Sequence, residues 1–106
     1  MPQVRVHPLV ESELAEVRSW YSERSTRAME NFNVRFNRTL GRIAERPTAH
    51  APWRKTIFRR ARIPHYPYLL LFHASSRITS VLALAHQRRD PGTVLTTIRR
   101  RFANFA

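Results

Sequence analysis

Cysteine is absent from the 106 residues, which excludes a disulfide framework, a thiolate zinc site and a cysteine nucleophile. Glycine is nearly as scarce. With only Gly41 and Gly92, no glycine-rich loop can cradle a nucleotide phosphate. No apolar run is longer than Tyr68 to Phe72, far short of the ~20 residues a membrane span needs. The opening Met-Pro-Gln-Val-Arg lacks the apolar core of a secretory signal. The expectation is a soluble, cytoplasmic protein with no membrane contact. Acids are few, and Asp90 is the one acid after residue 53, so a paired-carboxylate mechanism would have to borrow a helix glutamate. The histidines at 7, 50, 65, 73 and 86 include no i, i+4 pair of histidines. No metal and no cofactor are expected.

What the chain has in excess is arginine. Lys+Arg number 19 against 7 Asp+Glu, and Lys55 is the single lysine. Residues 1–53 carry eight basic and six acidic groups, whereas 54–106 carry eleven basic groups and one acid. The second half therefore suits an anionic partner, a nucleic acid or an acidic protein. Guanidinium forks match phosphate and carboxylate oxygens better than ammonium groups do. The length is that of one ordinary domain. An apolar fraction of 42% is enough for one real core.

Val4-Arg5-Val6-His7 alternates between Pro2 and Pro8 and predicts a short strand. Pro8 opens a helix over about 9–23, with Val10, Leu14, Val17 and Tyr21 on one face. Ser25-Thr26 supplies the cap of a second helix, whose stripe is Met29, Phe32, Phe36, Leu40 and Ile43 and which Pro47 stops. The short break makes the two an antiparallel hairpin. Residues 47–56 form a loop. Three strands follow: Ile57 to Ile63, Tyr68 to His73 and Ile78 to Ala85. In the first, Phe58, Arg60 and Arg62 share one side and Ile57, Arg59, Ala61 and Ile63 the other. The other two are apolar on both faces, as central strands are.

The expected fold class is α+β. An N-terminal strand and a helical hairpin pack on a small, mainly antiparallel sheet in the order β-α-α-β-β-β. Residues 93–106 form a C-terminal helix or a basic tail, with Arg99, Arg100 and Arg101 solvated in either case. The sheet face away from the hairpin is expected to carry arginines on a concave surface.

Arg59, Arg60 and Arg62 lie on one strand, and His86, Arg88 and Arg89 lie at or just past the end of another. If those strands are neighbours, five guanidiniums and an imidazole share one patch able to bind phosphates. His86 would then be placed as an acid or base. Competing structural roles are a backbone or Asp90 contact for His86, and a local Arg89–Asp90 ion pair.

Val-Leu-Ala-Leu-Ala-His-Gln-Arg-Arg-Asp-Pro, residues 81–91, resembles the closing signature of the RelE/ParE toxin superfamily, in its ParE-like plasmid stabilisation branch. Arg59-Arg60 followed by Tyr66-Pro67-Tyr68 resembles the strand pair before it, and Trp20 to Ser25 the first helix and its turn. The likeness covers about 3–91, within a toxin domain spanning 1–92. It implies the toxin component of a type II toxin–antitoxin system that inhibits growth. A cognate acidic, ParD-like antitoxin would neutralise it through a segment that folds on binding. It also implies DNA gyrase as the target, because the ParE branch poisons gyrase. The alternative is a ribosome-dependent mRNA endonuclease of the RelE type. In that case Arg59, Arg60, Arg88 and Arg89 hold phosphates and His86 is the catalytic acid or base. RelE-type enzymes commonly use a C-terminal tyrosine, but here the last tyrosine is Tyr68, so a non-enzymatic toxin is the leading expectation. A DNA-binding module that keeps only the fold and the charge is a third.

Overall fold

The computed structural model describes residues 3–105. Strand β1 (Gln3–Val6) leads into helix α1 (Pro8–Ser22). His7 caps that helix, its Nδ1 accepting the Leu9 N–H at 3.1 Å. Ser25 caps α2 (Thr26–Glu45), its hydroxyl accepting the Ala28 N–H at 2.9 Å. After a 3-10 turn at Pro47–Ala49 come β2 (Arg59–Arg62), β3 (Tyr68–Ala74), β4 (Ile78–His86) and helix α3 (Pro91–Ala103). The four strands lie in the order β1-β4-β3-β2; β1 runs parallel to β4, and the other pairs are antiparallel. This is the α+β architecture that the sequence pattern implies.

The sheet is covered on both faces. On one, Val10, Phe32, Phe36 and Ile43 of the hairpin meet Ala61, Leu70, Phe72, Val81 and Leu84. On the other, Leu71, Leu82, Ala83 and Ala85 meet Trp53, Phe58 and the α3 residues Val94 and Ile98. The second face is therefore not the open arginine surface expected from the pattern. Strands apolar on both sides need two covers, and full burial of a leucine or phenylalanine side chain contributes roughly 1.5–3 kcal/mol. The segment after Pro91 supplies the second cover as a helix rather than a tail. A bulge adjusts β4 to this load. Leu71 pairs with Ala83 and Phe72 with Val81, so Leu82 is an extra residue, and both Leu82 and Ala83 face α3.

Asp90 starts α3. Its Oδ2 accepts the Thr93 N–H and the Thr93 hydroxyl, each at 2.9 Å. These bonds, the backbone one foremost, hold the carboxyl below its ordinary 3.8. The folded group ionises more readily than the unfolded one. Its contribution is thus present above 3.8 and is lost as pH falls through the lower folded value. Asp90→Ala should lower Tm at pH 7 and speed amide exchange in the first turn of α3; an unchanged Tm would contradict the cap.

The far end of α3 rests on two histidines. The His73 ring lies 4.4 Å from that of Phe102, and the His7 ring 5.1 Å from that of Phe105. Burial pushes both imidazoles below 6.5, and the Arg101 charge adds to this at His7 against an opposing pull from Glu13. The unfolded chain then binds protons more readily, so this contribution is complete above 6.5 and is lost as pH falls through the lower folded values. Acidification from neutral to about pH 5 should lower Tm, and His7→Phe/His73→Phe should flatten that slope. Equal slopes in the variant and the parent would show that these rings are not the cause.

An ion pair finishes the sheet edge. β1 ends at Val6 opposite Val81, whereas β4 continues to His86. Glu13 Oε1 accepts the Leu84 N–H at 3.0 Å, and Arg101 Nη1 donates to the Leu82 carbonyl at 2.8 Å. The two side chains also meet each other, at 3.0 Å and 3.1 Å. Together they stand in for the missing strand and tie α1 to α3 around the edge. Arg101 is thus mostly buried rather than solvated, at 12% side-chain exposure, with Glu13 at 17%.

Candidate functional site

Strand alternation on β2 separates the arginines. Arg60 and Arg62 point to the α3 side, where with Arg54 and Gln87 they ring a depression of about 290 Å³ floored by Trp53 and Leu69. Arg59 shares the parity of Ala61 and points the other way. Its Nη1 donates to the His50 carbonyl at 2.7 Å and the Thr48 carbonyl at 3.4 Å. It holds the 48–50 loop against the strand and leaves the cluster. The neighbouring-strand assumption also needs correction: β3 lies between β2 and β4, so the patch spans the sheet through Leu69.

Arg54 is the residue that pattern reasoning missed. Arg54 and Lys55 form a tight turn with φ of 49° and 58°. The Trp53 N–H donates to the Phe58 carbonyl at 2.8 Å across that turn. Arg54 is brought beside Arg60 and Arg62, its guanidinium 6.0 Å from the Trp53 ring. It also lines a small cavity that Arg89, His86 and Gln87 share, so it connects the two ends of the patch. Nothing in the local sequence separates this arginine from any other loop cation.

The turn after β4 carries the rest. The Arg88 N–H donates to His86 Nδ1 at 3.1 Å, and the Arg89 N–H to the His86 carbonyl at 3.0 Å. That places the His86 proton on Nε2 in the neutral ring. His86 is exposed, with its ring 5.3 Å from Tyr68 in an edge-on arrangement. Arg88 is exposed as well. His86 and Arg89 border a second cleft of about 320 Å³, walled by Glu13, Glu16, Val17 and Trp20 of α1. The Asp90 Oδ2 caps α3 through Thr93, and among the described residues Arg89 and Asp90 form no ion pair. Among the described residues, no three His, Asp or Glu side chains gather as a metal-binding group.

Arg54, Arg60, Arg62 and Arg89 line two adjoining depressions that share Trp53 and Leu69, and Arg88 lines neither. Such a basic face can bind phosphates or carboxylates with charge-assisted hydrogen bonds. A helical hairpin on a mixed four-stranded sheet, with a basic turn after the last strand, makes this a small α+β domain. The chain belongs to the family of ParE toxins of the type II toxin–antitoxin system parDE, whose family model matches residues 4–91. No curated protein matches the chain. The match ends where α3 begins, so the helix that closes the second core lies outside it. Membership in a type II system implies an antitoxin as partner.

Proposed function

We propose that this chain is a growth-inhibiting toxin that acts in the cytoplasm by binding DNA gyrase through the basic face and is silenced by a cognate acidic antitoxin. Residues 1–92 would form the toxin domain, with the rest of α3 packed against it. The observation that carries this reading is the gathering of Arg54, Arg60, Arg62 and Arg89 around two adjoining depressions that share Trp53 and Leu69. An open cationic face with only shallow depressions suits a macromolecular partner better than a small substrate. Within the family, plasmid stabilisation is the role such a toxin would serve.

A second reading has one specific support. With Nδ1 held by the Arg88 N–H, the His86 Nε2 is available as an acid or base beside Arg88 and Arg89. An mRNA endonuclease would use it. Induced expression without antitoxin separates the two. Gyrase inhibition predicts growth arrest with DNA damage and intact transcripts, and His86→Ala should leave the arrest unchanged. Transcripts cut on ribosomes, with cutting abolished by His86→Ala, would replace the first reading by the second.

A further inference from the structure

The hairpin side carries a cluster of cations that the basic face does not use. Arg35, Arg38 and Arg42 follow one another on α2 at helical spacing, and Asn31 extends the row by one turn. The row lies about a third of a turn from the stripe that buries Phe32, Phe36 and Ile43. At its first end, Asn31, Arg35 and Arg38 face His65 and Tyr66 across an open cavity of about 390 Å³, with Val34 as the other lining residue. No acid is among those lining residues. Of the acids on α2, Glu30 lies on a different side and Glu45 at the far end.

The opposite wall is a tight turn. His65 has φ 71°, in the left-handed region that histidine, asparagine and aspartate enter more readily than most side chains do. The turn around it is fixed by Pro64 and Pro67 and by the Tyr66 N–H donating to the Ile63 carbonyl at 3.1 Å. Tyr66 is wedged edge-on against Phe32 at 5.0 Å and Tyr21 at 5.4 Å. An exposed imidazole is thus presented at the mouth of an arginine-lined cavity by a well-defined turn.

We propose that this flank of α2 and the 63–67 turn form a second phosphate-binding site, one that takes the sugar-phosphate backbone of a nucleic acid, with Arg35, Arg38 and His65 at its centre. Two guanidinium forks and an imidazole N–H supply convergent donors. The row continues past the cavity to Arg42 in steps of about 5–6 Å, which suits a linear polyanion rather than a single small anion. Val34 and Tyr66 are the cavity's only apolar lining, little for the anchors of an acidic peptide. The site is separate from the basic face and does not depend on which target the toxin inhibits.

Anisotropy of a labelled 20-base-pair duplex over a range of salt concentrations tests it. Arg35→Gln/Arg38→Gln should weaken binding at least tenfold at low salt and flatten the slope of log K against log salt by about two, near 0.9 per lost phosphate contact. His65→Asn keeps a residue type that tolerates this turn, so it should leave Tm unchanged while weakening binding, a combination that damage to the fold cannot mimic. By NMR, the His65 ring signals should move on adding duplex and stay still in the double arginine variant. The proposal is overturned if affinity and slope are unchanged in that variant. It is also overturned if the His65 signals respond only to inorganic phosphate, a small-anion site, or only to polyglutamate, an acidic-protein site.

Discussion

Arg101→Ala is expected to lower folding stability by about 3 kcal/mol, the low end for breaking a buried ion pair. The low end applies because both side chains keep a little solvent contact, 12% for Arg101 and 17% for Glu13. The loss has two parts. Glu13 is left buried without its counter-charge, and the Leu82 carbonyl loses its donor. In a domain of this size that corresponds to a fall in Tm of roughly 10 °C or more. Glu13→Gln/Arg101→Met should recover a large part of it. The glutamine still accepts from the Leu84 N–H, methionine fills the arginine's path, and no charge is stranded. Urea unfolding of the parent, Arg101→Ala, Glu13→Gln, Arg101→Met and the Glu13→Gln/Arg101→Met double variant measures this, the last three with the parent forming the closed cycle. If the two single losses simply add in the double variant, the edge is not held by the pair.

Arg54→Gln/Arg60→Gln/Arg62→Gln/Arg89→Gln is expected to weaken inhibition of the target about a hundredfold and to abolish growth arrest. The estimate takes ~0.7 kcal/mol for each exposed guanidinium pairing, and 1.4 kcal/mol for each tenfold in affinity. Stability should change little, because surface substitutions away from caps and buried pairs are usually within about 0.5 kcal/mol each. Arg59→Gln is the informative contrast. Arg59 donates to the carbonyls of Thr48 and His50, so its loss should loosen that loop and leave inhibition intact. A comparable loss of inhibition in Arg59→Gln at unchanged stability would move the functional surface to the hairpin side.

The hairpin was legible because its apolar residues recur at helical spacing and Ser25 and Pro47 mark the bounds of α2. The three later strands were legible from short apolar runs between turns. Helix α3 was open because Val94, Ile98 and Phe102 compete with the run Arg99-Arg100-Arg101. Its need became visible only in the second apolar face of β3 and β4, which something had to cover. The contact that turns Arg101 inward joins residues 88 positions apart, and no local signal encodes it. The β4 bulge is of the same kind, because alternation cannot reveal one extra residue in an all-apolar run. In the site, side parity already separated Arg59 from Arg60 and Arg62, and grouping all three by strand alone misplaced Arg59. Arg54 entered through a left-handed turn of non-glycine residues, which composition does not announce.

The most direct test of the account is a supercoiling assay with purified gyrase, using the chain and its four-arginine variant at matched stability. The account predicts that the parent chain blocks supercoiling and traps cleaved DNA, and that the variant does neither at the same concentration. Full inhibition by the variant, or no effect of the parent on gyrase while ribosome-bound mRNA is cut, would contradict it.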